Sequence, residues 1–138
     1  MKYILLILAL VGITASSFAL REHYRTDASP CSINERWDCG IVNHSPYAVI
    51  HGVPVAVIGI AGYLLLGILS LRRDYRVMLI LALAGLAFSL YLARIESHVL
   101  GVWCIYCAIS LAIISLMSLL LLAAVLFHML RRPASAAP

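Results

Sequence analysis

Four long apolar stretches, at residues 3–20, 53–71, 77–92 and 102–130, constrain this chain more than any other feature. Crossing a bilayer as a helix takes about 20 mostly apolar residues. In lipid every backbone N–H and C=O must also find its partner within the segment. Each stretch is long enough to cross, and the last has residues to spare, so it can tilt or begin at the interface. Hydrophobic residues make up 64% of the chain and charged residues 12%, against roughly half and a quarter in soluble domains. A soluble fold could not cover that much apolar surface. The expected fold class is an all-α integral membrane protein, a four-transmembrane-helix bundle forming a single membrane domain over residues 1–138. A long outward-facing loop at 21–52 joins helices 1 and 2, and residues 133–138 read as a flexible tail.

The net charge of +4 does not point to nucleic acid, because the basic residues form no stripe with interleaved aromatics. They gather at the ends of the spans. Lys2, Arg72, Arg73, Arg76, Arg131 and Arg132 share one side with Asp74, whereas Arg21, Arg25, Arg36 and Arg94 share the other with Glu22, Asp27, Glu35, Asp38 and Glu96. Lys and Arg are held in the cytoplasm during insertion. The expected topology is therefore multi-pass in the inner (plasma) membrane, with both termini cytoplasmic and the cysteine loops periplasmic in a bacterium. Met1-Lys2, an apolar run and Ser17-Phe18-Ala19 also imitate a signal peptide. Cleavage there would change the helix count and leave the cysteine loop outside.

All four cysteines, Cys31, Cys39, Cys104 and Cys107, fall on the outward half, the side where disulfides persist. Cys104-Ile105-Tyr106-Cys107 is a C-x-x-C at the start of the fourth span. The free amides and positive dipole end of a helix N-terminus stabilise a thiolate, the species that attacks a disulfide or an electrophile. The motif is shared by redox, zinc and haem sites, and Ala108 in place of His disfavours haem attachment. Cys31 and Cys39 stand eight positions apart in the polar loop. They fit a loop disulfide open to attack by an outside thiol, a static staple, or half of a four-cysteine zinc site. Zinc pairs usually stand closer than this. His44, His51 and His98 lie near the same side and read as interfacial or hydrogen-bonded residues rather than ligands.

The order Cys31-x7-Cys39, Ser45-Pro46-Tyr47, Gly52-Val53-Pro54, Gly59, Gly62-Tyr63 and Trp103-Cys104-Ile105-Tyr106-Cys107 resembles the bacterial branch of the vitamin K epoxide reductase family over residues 31–111. In the other four-span, quinone-linked thiol oxidases the C-x-x-C comes in the first outer loop; here the order is reversed. The resemblance implies a quinone, of ubiquinone or menaquinone (vitamin K) type, near the outward helix ends, with no metal. It implies that Cys107 faces the quinone and Cys104 resolves it, that Cys39 exchanges with Cys104, and that Cys31 exchanges with the thiols of a partner. Ser45 matches a serine in the loop capping the site, and Tyr63 an aromatic lining the pocket. The implied partner is a periplasmic thioredoxin-fold thiol oxidase, expected as a separate protein. Members from animals carry an Asn on the second helix and a Tyr four residues after the C-x-x-C, where this chain has apolar residues around Val55 and Leu111. Losing both polar contacts weakens recognition of the vitamin K ring.

These expectations leave three functions to weigh. One is a quinone-dependent thiol–disulfide oxidoreductase. Another is a vitamin K epoxide or quinone reductase driven by small thiols. The last is a structural or zinc-binding membrane protein with four-cysteine ligation.

Overall fold

A computed structural model describes residues 1–26 and 31–131, so the tail expected at 133–138 lies outside the described residues. In chain order come α1 (Lys2–Tyr24), α2 (Cys39–His44), a 3-10 turn (Pro46–Ala48), β1 (Val49–Ile50), β2 (Val53–Pro54), α3 (Val55–Arg72), α4 (Tyr75–Ile95) and α5 (Ile105–Arg131). Helix α4 runs on into a single π-helical turn, Glu96–Leu100. Among the described residues, helices α1, α3, α4 with its π turn, and α5 are the four that are long and apolar enough to cross a membrane. At about 1.5 Å of rise per residue, even the 18-residue α3 spans most of a hydrocarbon core about 30 Å thick. The molecule is an all-α, multi-pass membrane bundle.

Lipid tails are as apolar as leucine, so these helices gain little from hiding apolar surface and associate through close packing. The α1–α3 seam is accordingly built from small residues. A Cβ on Gly12 would lie 2.5 Å from the ring of Tyr63, and one on Gly59 would lie 2.9 Å from Ser16 Oγ. Leu5, Ala9, Leu66, Met78, Met117 and Leu121 fill the centre of the bundle, while Leu64, Ile80 and Leu119 face outward. Ser70 Oγ donates to the Lys2 carbonyl (2.7 Å) and ties α3 to the start of α1.

Short turns set the order of the helices. Arg73, at φ 60°, ends α3 with its N–H on the carbonyls of Leu69 and Ser70, which turns the chain straight into α4. At the other end His51 and Gly52 both take positive φ, 50° and 81°, as a two-residue hairpin turn requires. They join β1 to β2 in register Val49 with Pro54 and Ile50 with Val53.

Helix bounds differ from the hydropathy limits where local pairing intervenes. Val53 and Pro54 are apolar but pair in β2, so the second long helix begins at Val55. Residues 93–101, between the third and fourth apolar stretches, are helical as far as Leu100. The last helix begins at Ile105 rather than 102, because Trp103 is extended and bridges Trp37 in parallel. Trp103 N–H donates to the Arg36 carbonyl (2.7 Å), and Asp38 N–H donates to the Trp103 carbonyl (3.0 Å). Those two bonds dock the long loop on the segment that leads into α5.

Candidate active site

Asp38 organises the loop around its cysteines. Its carboxylate caps α2 by accepting the Ile41 N–H (3.1 Å) and also accepts the Ser32 hydroxyl (3.0 Å). One acid thus holds the segment after Cys31 against the start of α2. Asn34 tightens the turn between them by accepting the N–H groups of Arg36 (2.8 Å) and Trp37 (3.0 Å). Cys31 and Cys39 end up with Cα atoms 5.5 Å apart and joined as a disulfide.

Cys104 and Cys107 are free thiols, the first buried and the second half-buried. Cys104 immediately precedes α5, its carbonyl accepting the Ala108 N–H (2.9 Å), and Cys107 lies in the first turn. Both therefore sit at the positive end of the helix. Cys31, Cys39 and Cys104 share one buried cluster with Val42 and Val102, and Cys107 and Tyr106 pack against it. Asn43, four residues after Cys39 on the same helix, donates through Nδ2 to the Cys39 carbonyl (2.8 Å) and to Cys104 Sγ (3.5 Å). Its own carbonyl accepts from His23 Nδ1 (2.6 Å), which anchors α2 to α1. The Cys104 thiol is held below its ordinary value, chiefly by the hydrogen bond from Cys107, with Asn43 adding to the effect. Burial and the charge of Glu96 pull the other way.

Glu96 approaches the thiols from the opposite side. Its carboxylate accepts the Cys104 N–H (3.2 Å) and lies within hydrogen-bonding reach of the Cys107 thiol, and its side chain is buried. Beyond Cys107 opens a cavity of about 340 Å³ with mainly apolar walls. Cys107, Ser45, Val55, Tyr63 and Leu111 all line it, whereas Cys31, Cys39 and Cys104 do not. Tyr63 is fixed there by its hydroxyl, which donates to the Ser110 carbonyl (2.9 Å). A cavity of this size and polarity admits a flat, mostly apolar molecule with a few polar atoms.

The cysteine arrangement is suited to thiol–disulfide exchange, since a thiol biased toward its thiolate stands beside a disulfide. Four-cysteine metal ligation has less to work with, because the loop pair is spent on a disulfide. Among the described residues no group of His, Cys, Asp and Glu converges as a metal site. His44 bonds the Gly40 carbonyl (2.7 Å), and His51 forms the hairpin turn.

Asn43 and Glu96 are not identified by sequence reasoning, which counts Glu96 only as a charge on one side of the membrane. The available signals were the four-residue step from Cys39 to Asn43 and an acid eight residues before Cys104 at the end of an apolar run. An ionisable residue in such a place is a functional candidate by default.

The sequence profile of the vitamin K epoxide reductase family matches residues 3–124. The match extends past the motif-bearing stretch at 31–111 and takes in α1. No curated protein matches the chain.

Proposed function

Given that this chain belongs to the vitamin K epoxide reductase family, we propose that it is a quinone-dependent thiol–disulfide oxidoreductase that oxidises the thiols of a periplasmic thioredoxin-fold protein. Partner thiols attack the Cys31–Cys39 disulfide. The reduced loop passes its electrons to a Cys104–Cys107 disulfide through exchange between Cys39 and Cys104. The helix pair, now reduced, gives two electrons and two protons to a membrane quinone held in the cavity, and the Cys104–Cys107 disulfide re-forms. The bound quinone supplies the oxidising power. The residues that would hold it are Tyr63, Val55 and Leu111 on the helices and Ser45 in the capping loop.

The observation that carries this proposal is one buried cluster that holds the loop disulfide and Cys104, with Cys107 packed at its edge and alone among the four cysteines opening on the cavity. An electron path from an outside thiol to a membrane-embedded acceptor needs that order. Each 30 mV by which the quinone exceeds the dithiol in potential favours the transfer by about 1.4 kcal/mol. Vitamin K epoxide is a less favoured substrate, because Val55 and Leu111 offer it no hydrogen bond.

The test is to trap the exchange intermediate. In the Cys31→Ala, Cys107→Ala double variant, Cys39 and Cys104 should join as a disulfide found by mass spectrometry after digestion. Its absence under oxidising conditions would show that the loop pair does not feed the helix pair. In the wild type, a thioredoxin-fold dithiol protein should support quinone reduction. Turnover with dithiothreitol but with none of the protein thiol donors tried would instead favour a reductase driven by small thiols.

A further inference from the structure

Moving two electrons from a dithiol to a quinone also requires moving two protons, and the cavity offers little to move them with. Glu96 is the only carboxylate among the described lining residues, and no Lys, Arg or His joins it there. It is 3% exposed, although it sits at a helix end where its neighbours Arg94, Ser97 and His98 all reach the surface. Burying a carboxylate that could stand in water is costly. The π turn beginning at Glu96 is the kind of local irregularity found at functional sites, and it leaves this one acid turned inward. The carboxylate touches both reacting residues, through the Cys104 N–H at 3.2 Å and the Cys107 thiol.

We infer that Glu96 is the acid–base group that relays protons from the Cys107–Cys104 dithiol to the quinone in the cavity, an inference that rests on the quinone-linked function proposed above. The carboxylate takes the Cys107 proton as that sulfur becomes the electron donor, and delivers it to one quinone oxygen. The Cys104 proton, lost as the Cys104–Cys107 bond forms, follows through the regenerated carboxylate to the second oxygen. Two S–H bonds break, one S–S bond and two O–H bonds form, and the dithiol's two electrons leave with the hydroquinone. A purely structural Glu96 would do no more than accept the Cys104 N–H at the head of α5. A glutamine can do that equally well, and it cannot carry a proton.

The test compares wild type, Glu96→Gln and Glu96→Asp as full chains in lipid nanodiscs, with dithiothreitol as donor and menadione or a short-chain ubiquinone as acceptor. General acid–base groups contribute about 100-fold or more. Glu96→Gln should therefore lower kcat by at least about 100-fold with little change in the quinone KM, Glu96→Asp should keep clearly more activity, and added formate should partly restore Glu96→Gln. Diamide should still close Cys104–Cys107 in each variant, which establishes that the site is intact. Wild-type kcat in Glu96→Gln, a loss confined to KM, or equal loss in Gln and Asp variants whose thiol pair still closes would overturn the relay. If the Gln variant fails the diamide check, Glu96→Asp decides alone, with loss of turnover counting against the relay and retention supporting it. A wild-type chain that reduces neither quinone refutes the proposed function itself, which keeps the two failures apart.

Discussion

Cys104 owes its character to two neighbours rather than to the helix end alone. The Cys107 thiol donates to its sulfur, and the Asn43 amide donates from the loop side. Hydrogen bonds to the charged form lower the pKa of a thiol, and burial raises it. Here the first effect prevails. The sign of a test follows, since removing a donor must raise the pH at which the Cys104 thiolate forms. With the loop pair oxidised, Cys107→Ser and Cys107→Ala each leave Cys104 as the sole free thiol. The Ser variant keeps an O–H donor, so its thiolate absorbance should appear at lower pH than in the Ala variant. Adding Asn43→Leu to either should shift the midpoint up again by a smaller amount. Identical midpoints in the Ser and Ala variants would mean that Cys107 does not tune Cys104. The same Asn43 side chain bonds the Cys39 carbonyl, so opening of the loop disulfide that moves Cys39 would be felt at the sulfur it is to meet.

Among the elements, α1 and α3 decide the shape of the cavity because Tyr63 leans on the bare backbone of Gly12. An added methyl at Gly12 would meet the ring at 2.5 Å, and the hydroxyl bond to Ser110 (2.9 Å) keeps the ring from swinging aside. Overpacking of this kind costs about 1–3 kcal/mol. Gly12→Ala should lower the unfolding temperature in detergent and raise the quinone KM, while Gly67→Ala, whose nearest neighbour would be an ordinary 3.6 Å away, should do neither. Equal effects at the two glycines would show that the Tyr63 contact has no special role. Much of this layer was legible in the sequence, because span-length apolar runs have few alternatives in lipid. The limits were less legible. Val53-Pro54 and Trp103 are apolar enough to read as helix, yet they are drawn into backbone pairing with partners that hydropathy cannot see. Asn43 and Glu96 escaped for a similar reason, since their meaning lies in contacts with residues 61 and 8 positions away. The cysteine spacing left redox, zinc and structural readings open, and only the fold could bring the loop pair to the helix pair.

For the molecule as a whole, function depends on which face looks outward, and charge supplies the argument. Lys2, Arg72, Arg73, Arg76 and Arg131 stand at one end of the bundle, where α1 begins, α3 turns into α4, and α5 ends. The loop disulfide, Cys104 and the cavity stand at the other. A charge asymmetry of this kind directs insertion through Lys and Arg retained in the cytoplasm, and it would leave the loop disulfide in an oxidising compartment. Single cysteines at exposed positions report the result in intact cells. Ile33→Cys, in the loop at 65% exposure, should react with a membrane-impermeant maleimide from outside. Arg73→Cys, in the tight turn at the opposite end, should react only after the cells are opened. The reversed pattern would place the loop disulfide among cytoplasmic reductants and remove the route from an outside thiol. Reversal of the pattern in a chain with Arg72, Arg73 and Arg76 all changed to Glu, together with loss of turnover by the protein donor but not by dithiothreitol, would tie the orientation to those charges and the donor to the outer face.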